Sequence, residues 1–252
     1  MTYFTSKVLT LFNRYQSAMA YYGKNNNKCL NCIMRSSSIK VLNETELVTL
    51  CDNSVNIQFK KGELIIKQGA FTTNVVFIQS GLIKIHLKGP LERDGIMKIE
   101  KGPIFAGISA IFADRTHKYS VTALEDCDAC FIDITAFREF IEHNGKFALE
   151  IIKILSNDLV VHFRRCVNKT QNHSMASFAE ALLFFSDYIF ESDDFQLPLT
   201  RSELGEFIGT TRETITRMIH DLSQDRIIQV NSKSLQILNK NILYKISNTT
   251  KG

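Results

Sequence analysis

The sequence predicts an α+β fold with an N-terminal all-β barrel or roll, one long helix and a C-terminal winged helix-turn-helix. Short apolar segments punctuated by glycine run from Val55 to Asp133, and strands with turn residues between them at this spacing indicate a barrel or roll. Residues 146 to 167 contain no glycine or proline and predict the long helix. After Leu199 the pattern becomes helix, glycine turn, helix and hairpin, which predicts the last unit.

The composition excludes several classes of protein. Hydrophobic residues make up 44% and charged residues 22% of the 252 positions, as is usual for globular proteins and unlike disordered or collagen-like chains. The net charge of +4 neither demands nor excludes a polyanionic partner. Six cysteines without a secretion signal are too few for a disulfide scaffold. No apolar run approaches the roughly 18–20 residues of a membrane span, so we expect a cytoplasmic protein with reduced thiols and no membrane partner.

Helical patterns flank the predicted strands. Asn43 followed three residues later by Glu46 is typical of a helix start. Apolar residues then share one face of that helix at Leu47, Leu50 and Cys51. Past the strands, residues 134 to 141 predict a short helix that ends at His143-Asn144-Gly145, and residues 175 to 190 predict another apolar helix.

The long helix has the pattern of a two-helix seam, in which apolar positions recur at alternating steps of three and four. The seam positions are Ile152, Leu155, Leu159, His162 and Cys166. Three heptads also fit a helix that packs only on its own domain, and both interpretations stay open. A single histidine on such a seam is more often a packing residue than a haem ligand or a pH sensor. Cys51 and Cys166 are interpreted as buried thiols.

The segment after Leu199 has the pattern of a DNA-binding motif. Thr200 and Glu203 form a capping box for a helix that Gly209 ends, and a second helix runs from Arg212 to Leu222. The second helix of a helix-turn-helix lies in the major groove of DNA. Residues 227 to 237 alternate around a polar turn and predict the wing. An ordinary helical hairpin is the alternative.

The side chains at the start of the second helix suit base recognition. With Ile215 turned inward, Arg212, Glu213, Thr216 and Arg217 face outward. Arginine binds guanine O6 and N7, glutamate accepts from cytosine N4, and threonine contacts the thymine methyl group. Residues 200 to 252 contain eight Lys or Arg and five Asp or Glu, a modest excess that is consistent with phosphate contact.

These motifs resemble the Crp/Fnr family of bacterial transcription regulators over about residues 29–240. The segments Leu199–Gly205 and Thr211–Arg217 are close to its DNA-binding signature, and the glycine-punctuated region is similar to its cyclic-nucleotide-binding-type roll, a double-stranded β-helix. The turns of that roll match Gly69, Gly81, Gly102 and Gly107. The resemblance implies a sensory β-roll domain 29–145, a dimerisation helix 146–170 and a winged-helix DNA-binding domain 171–252. The polar run at residues 24–28 predicts a flexible extension over 1–28.

The resemblance also implies a homodimer that binds a palindromic operator on double-stranded DNA and contacts RNA polymerase. Arg212, Glu213 and Arg217 match the base-reading positions of the catabolite activator branch, which implies a TGTGA-like half-site. Thr216 stands where the fumarate–nitrate branch has serine. The predicted DNA-binding residues are Thr200, Thr211, Arg212, Glu213, Thr216 and Arg217. A signal at the roll would change how the long helices pair, and so the spacing of the recognition helices.

The expected effector site departs from the family pattern. Cyclic-nucleotide binders hold the ribose with a Glu and the phosphate with an Arg-Ser pair, whereas this chain has Ile108 and approximately His117-Lys118 there. An apolar side chain leaves buried hydroxyls unpaired, at about 1–3 kcal/mol each, so cyclic AMP is an unlikely ligand. The predicted pocket residues are Gly107, Ile108, Ser109, His117 and Lys118. His117 and Lys118 are alternatively plain surface charge.

Two Cys-x-x-Cys pairs offer a second kind of sensor. Cys29 with Cys32 and Cys127 with Cys130 have a spacing that can hold a zinc ion or a [4Fe–4S] cluster, and the oxygen-sensing branch of the family has cysteines in similar places. The third N-terminal cysteine of that branch is missing here. Strand residues three apart point to opposite faces, which weakens the second pair. Reduced structural or redox-active thiols are the alternative.

The sequence thus predicts a homodimeric transcriptional regulator controlled by a signal other than cyclic AMP. The alternatives are an oxygen- or redox-sensing iron–sulfur regulator and a small-ligand-binding module whose helix-turn-helix contacts protein. No nucleophile–base pair, nucleotide-binding glycine loop or paired-carboxylate motif is present in the sequence. We therefore expect no enzyme activity.

Overall fold

The computed structural model describes residues 37–89, 94–171, 174–232 and 234–248, without the side chains of residues 164 and 168–171. The predicted extension 1–28 and the pair Cys29 and Cys32 lie outside the described residues. The described chain begins with a 3₁₀ turn, Ile39–Val41, and helix α1, Glu44–Asp52. Asn43 caps α1 in the predicted capping box with Glu46.

Two antiparallel sheets form the roll, as predicted. The strands are β1 Ser54–Phe59, β2 Leu64–Ile66, β3 Asn74–Ser80, β4 Leu82–Lys88, β5 Asp94–Lys101, β6 Ile104–Ala106, β7 Ser120–Ala123 and β8 Cys127–Asp133. A short helix α2, Ile108–Phe112, follows β6. The strand orders are β1-β8-β3-β6 and β2-β7-β4-β5.

In the first of these sheets, the central strands β8 and β3 carry buried residues on both faces, whereas β1 is largely exposed. Between the sheets lies an apolar interior to which both contribute, with residues such as Ile66, Val76 and Ile83. On the outer face, Phe77 and Ile132 pack with the helices that flank the roll. Side chains of a strand alternate between the two faces, so neighbouring residues of β8 enter different clusters.

The two helices after the roll are separated by a single residue. Asp133 caps α3, Ile134–His143, and the Asn144 side chain accepts hydrogen bonds from the N–H groups of Lys146 and Phe147 at 3.1 Å each. Helix α4 runs over Gly145–Gln171, slightly longer than predicted. The predicted break therefore acts as the N-terminal cap of the long helix, since asparagine is a preferred capping residue.

The C-terminal unit is a winged helix-turn-helix with two elements that the sequence did not predict. It contains α5 Ser174–Phe184, a π-helix Phe185–Phe190, β9 Asp194–Gln196, α6 Arg201–Ile208, α7 Arg212–Gln224, β10 Ile228–Asn231, β11 Ser234–Ile237 and α8 Lys240–Ser247. The sequence predicted one helix over 175–190 and a polar break at 192–194. Instead β9 pairs with β11 and buries Phe195 between two exposed residues, and α8 is also new.

The roll and the C-terminal unit share a hydrophobic core. Leu82, Ile96 and Ile99 of the β4–β5 hairpin lie in the same buried cluster as Leu204 and Phe207 of α6. An ion pair at 2.6 Å joins Lys84 of β4 to Glu203 of α6. The first helix of the helix-turn-helix is therefore docked on the sheet of the roll.

Candidate nucleic-acid interface

Side-chain caps start both helices of the helix-turn-helix. Thr200 accepts from the Glu203 N–H, and the Glu203 carboxylate accepts from the Thr200 N–H at 2.8 Å, as the capping box predicts. Gly209 ends α6 with φ of 84°, a left-handed conformation that favours glycine. Thr211 then accepts from the Thr214 N–H and caps α7.

The turn brings the backbone of the second helix close to Gly205 in α6. The Gly205 carbonyl accepts from the N–H groups of Gly209 and Thr210, each at 2.8 Å. A Cβ atom at position 205 would lie 2.7 Å from the Thr210 carbonyl oxygen. Glycine at this position thus allows the tight crossing of α6 by the turn.

The predicted base-reading side chains lie on the exposed face of α7. Arg212, Glu213, Thr216 and Arg217 are exposed, and the opposite face is buried through Ile215, Met218, Ile219 and Leu222. Hydrogen bonds from its own backbone N–H and the Thr211 hydroxyl hold the pKa of Glu213 below its ordinary value. Its carboxylate is therefore ionised at neutral pH and able to accept a hydrogen bond.

Arg201 is a further side chain at this face that the sequence did not select. Its guanidinium lies 3.4 Å from the Thr216 hydroxyl, which itself donates to the Arg212 carbonyl at 3.0 Å. Arg201 is the first residue of α6 and is exposed. Arg201 directly follows the cap Thr200, at the start of α6 and close to the start of α7. This position in the sequence could have identified Arg201 as a candidate.

Two family matches cover most of the chain. Residues 56–144 match the cyclic nucleotide-binding domain, and residues 178–246 match the Crp-like helix-turn-helix domain. These ranges contain all of the roll except the first two residues of β1, and the whole helix-turn-helix. The chain belongs to the Crp/Fnr family.

Similar proteins agree in sequence and in fold with a Crp/Fnr-type transcriptional regulator. The fumarate and nitrate reduction regulatory protein of Vibrio cholerae is 26% identical over 230 residues, which are 88% of this chain and 91% of the relative. FixK2 of Bradyrhizobium japonicum has a TM-score of 0.70 at 15% identity and covers 79% of this chain and 99% of its own. A Crp/Fnr regulator of Thermus thermophilus has a TM-score of 0.66 at 19% identity and covers 78% of this chain and 100% of its own.

The predicted effector residues of this Crp/Fnr protein do not line one common pocket. Gly107 and His117 are in contact, because a Cβ at Gly107 would meet the His117 ring at 2.9 Å. Ile108 points into the cluster on the outer face of the roll, whereas Ser109 and Lys118 are exposed. Lys118 pairs with Asp114 at 2.5 Å, in agreement with the surface-charge alternative for that residue.

His117 is buried, and its interpretation as surface charge was wrong. Its exposed fraction is only 7%, and burial lowers its pKa, so the ring is neutral at pH 7. Its Nδ1 atom has no hydrogen-bond partner among the described residues. Next to it, the Gly107 N–H donates to the Tyr119 hydroxyl at 3.0 Å. A neutral histidine cannot replace the charge of the family's phosphate-binding arginine.

The cysteines of the second pair point away from each other, as strand geometry predicts. Cys127 lies in the interior of the roll, and Cys130 lies in the cluster on the outer face together with Ile39. The Cys127 thiol donates to the Glu125 carbonyl at 3.2 Å, and burial raises its pKa to about 11. A protonated thiol in an apolar interior is a poor metal ligand, so Cys127 does not fit the predicted four-cysteine site.

Only Cys130 of this pair faces the side of the roll where the described chain begins. Ile39 belongs to its cluster and lies seven positions after Cys32 in the sequence. Among the residues that the structure describes, no three His, Cys, Asp or Glu side chains are grouped to hold a metal ion. Because Cys127 and Cys130 lie in different clusters, these two thiols do not face one common ion.

The predicted seam of α4 is exposed in a single chain. Ile152, Leu159, His162 and Cys166 are exposed, whereas Leu155 is half-buried against the roll. The expectation that Cys166 is a buried thiol is wrong for the single chain, in which its side chain is exposed. Cys51 is half-buried.

In the described ranges, no helix is both long and apolar enough to cross a membrane.

A cleft of about 590 Å³ lies between β5, α4 and the C-terminal unit. This volume suits a small molecule. Lys98 lines it and is paired with Glu100 and with Asp158. Arg165 also lines the cleft, and its guanidinium donates to two backbone carbonyls. Lys98 and Arg165 thus have their partners within the protein, so these cations do not indicate which class of ligand the cleft would bind.

Proposed function

We propose that this chain regulates transcription by binding a palindromic operator as a homodimer, under the control of a signal other than cyclic AMP. The observation that carries the proposal is the exposed N-terminal end of α7, where Arg212, Glu213, Thr216 and Arg217 stand beside Arg201 while the rest of the helix is anchored in the core. An α-helix with these donors and acceptors suits the major groove.

The exposed apolar face of α4 supports the homodimer. Leu159 is 53% and Phe163 60% exposed, and further apolar side chains on this helix are exposed at Leu149, Ile152, Val160, Val161 and Val167. Burial of such a surface is the main driving force for association. A second copy of α4 covers it, and a two-fold dimer requires a two-fold symmetric operator.

The half-site we propose is TGTGA-like, read by Arg212, Glu213 and Arg217, with Thr216 as an additional contact. Thr200 and Thr211 are both caps whose position at a helix start suits phosphate contact. RNA polymerase is the proposed protein partner of the DNA-bound dimer. A module whose helix-turn-helix contacts protein is the less supported alternative, since the exposed side chains are polar rather than apolar.

The signal at the roll is proposed to be different from cyclic AMP. Ile108 packs on the outer face, and His117 is neutral and buried, so neither residue supplies the ribose acceptor or the phosphate charge. An iron–sulfur regulator is the second candidate, because Cys130 faces the start of the described chain and a relative is named for fumarate and nitrate reduction. Its ligands would include Cys29, Cys32 and Cys130 but not Cys127.

Substitution of Arg217 tests the proposed readout. Because a bidentate contact to guanine contributes about 1–3 kcal/mol, Arg217→Ala should weaken binding to a palindrome of TGTGA half-sites by about 5- to 150-fold. Discrimination against a probe with the contacted guanine replaced should fall by the same factor. The measurement is fluorescence anisotropy with both probes at one fixed salt concentration.

Lys153→Ala is the matched control, because it removes one positive charge from the exposed surface of α4 and not from the DNA-binding unit. It should leave both affinities unchanged within about twofold. Equal affinity of the wild type and Arg217→Ala for the palindrome would show that Arg217 does not read a base.

A further inference from the structure

We propose that the homodimer binds one tetrahedral Zn²⁺ ion on its two-fold axis, held by His162 and Cys166 of both copies. The inference rests on the proposed pairing of two α4 helices. Both residues are exposed on the seam face of α4 and lie four positions apart, on the same side of the helix. Neither is needed by the DNA-binding surface.

The distance between the two side chains fits a pair of zinc ligands. The Cys166 Sγ atom lies 3.6 Å from His162 Nε2. Zinc–sulfur bonds of about 2.3 Å and zinc–nitrogen bonds of about 2.0–2.1 Å at a tetrahedral angle separate the two ligand atoms by about 3.6 Å. One helix therefore presents half of a tetrahedral site with little rearrangement.

The second half of the site comes from the partner. In a parallel pair of helices, residues at the same seam position meet across the axis, so the two copies of His162 and the two copies of Cys166 form adjacent layers. Two His and two Cys complete a closed structural zinc site. Within one chain, the described residues do not supply a third ligand, so the site is incomplete without the second copy.

Apolar side chains next to the pair suit a site that excludes water. Phe163 and Val167 flank it on the helix, both exposed in one chain and available to exclude water in the dimer. The guanidinium of the neighbouring Arg165 lies 4.2 Å from the Phe207 ring. Two thiolates balance the charge of Zn²⁺, and binding releases two protons from the two Cys166 thiols.

The test uses the full chain with Cys29→Ser and Cys32→Ser, which removes the other candidate pair of metal ligands. The protein is reduced, freed of metal with a chelator and titrated with Co²⁺, which substitutes for Zn²⁺ and gives visible absorption bands in a tetrahedral thiolate site. We expect saturation at one Co²⁺ per two chains, reversal by Zn²⁺, and proton release on binding.

Three variants in this background identify the ligands. Cys166→Ser and His162→Gln should each weaken Zn²⁺ binding by more than about 100-fold, since even substitutions outside the ligand shell cost about 10- to 100-fold. Cys51→Ser removes a thiol from α1, on another part of the molecule, and should bind Zn²⁺ as the parent does. Equal binding by the parent and Cys166→Ser would overturn the proposed site.

Sedimentation with and without Zn²⁺ separates this inference from the homodimer on which it rests. A metal-free dimer that binds no Co²⁺, or that only forms a Cys166 disulfide on oxidation, refutes the zinc site and leaves the homodimer intact. A chain that is monomeric in both conditions refutes both. A dimer tightened by Zn²⁺ in the parent and in Cys51→Ser, but not in Cys166→Ser, supports the site.

Discussion

The crossing of the two helix-turn-helix helices depends on the absent side chain of Gly205. Its carbonyl accepts two hydrogen bonds from the turn, and the Thr210 carbonyl oxygen stands 2.7 Å from where a Cβ would be. The obstacle is backbone and cannot rotate away. By contrast, Gly145 at the start of α4 has open space around its Cβ position.

Gly205→Ala should therefore destabilise the protein although alanine is the better helix former. Overpacking of a buried site costs about 1–3 kcal/mol, which exceeds the gain of up to about 1 kcal/mol in helix propensity. The free energy of unfolding measured in urea should fall by about 1–2 kcal/mol. The control Gly145→Ala should be neutral or slightly stabilising. A Gly205→Ala variant as stable as the wild type would mean that the turn can move.

Single residues were predictable from sequence where local periodicity decides their environment. Burial of Ile215 and exposure of Arg217 follow from the period of α7, and the caps Thr200 and Asn43 follow from short-range spacing. The environment of His117 depends on the packing of distant strands. Its ring lies against Gly107, and its backbone N–H donates to the Ala70 carbonyl, contacts that no local pattern encodes.

At the scale of elements, α4 has one buried and one exposed apolar face. One face joins the roll through Phe147 and Ile151, which are fully buried with Leu155 partly covered. The other face is exposed and carries Leu159 of the predicted seam together with Phe163. Of the predicted seam positions, only Leu155 packs on the roll, and Ile152, Leu159, His162 and Cys166 are exposed in the single chain.

Elements whose formation depends on partners were missed. Strand β9 has only three residues with two exposed ends, and its place is set by pairing with β11 and by burial of Phe195. The π-helical end of the α5 segment also has no local signal, and Ser186 there is held by Asp193 at 2.7 Å. Such short segments carry too few residues for periodicity to be recognised.

Leu159→Asp tests whether the seam face of α4 forms the dimer interface. The side chain is exposed in a single chain, so the charge should leave the fold of the chain intact, whereas a charge in the seam of a dimer must be desolvated without a partner. Sedimentation should show a shift from dimer to monomer, with at least about a 100-fold weaker dimer affinity for a cost of roughly 3 kcal/mol. The free energy of unfolding of the monomer should change little.

Asn157→Asp introduces the same carboxylate two residues earlier, on a face of α4 outside the seam. It should remain a dimer at the concentrations where Leu159→Asp dissociates. A dimeric Leu159→Asp protein would contradict the seam and move the dimer interface to another surface.

At the scale of the whole molecule, Arg165 and Glu203 connect the roll to the DNA-binding unit. Glu203 caps α6 and pairs with Lys84; although burial opposes its ionisation, this ion pair and the bonds from Thr200 hold its pKa below its ordinary value. Arg165 donates to the Met97 carbonyl of β5 and, at 3.2 Å, to the Phe207 carbonyl of α6. Through this one side chain, α4 thus contacts both the roll and the DNA-binding unit.

Arg165→Ala should loosen this junction. The substitution leaves two part-buried carbonyls without their guanidinium donor, at up to about 1–3 kcal/mol each, and removes the contact of the guanidinium with the Phe207 ring. We expect the free energy of unfolding to fall by at least about 2 kcal/mol, and amide hydrogen exchange to become faster in β5 and α6 while exchange in β3 and β8 is unchanged. Hydrogen-exchange mass spectrometry and urea unfolding measure these effects.

Lys146→Ala removes an exposed cation from the same helix and should change neither the free energy of unfolding nor the exchange rates. Uniformly faster exchange throughout the roll would instead show that Arg165 stabilises the whole fold. Unchanged exchange in α6 would show that Arg165 does not contribute to joining the two units.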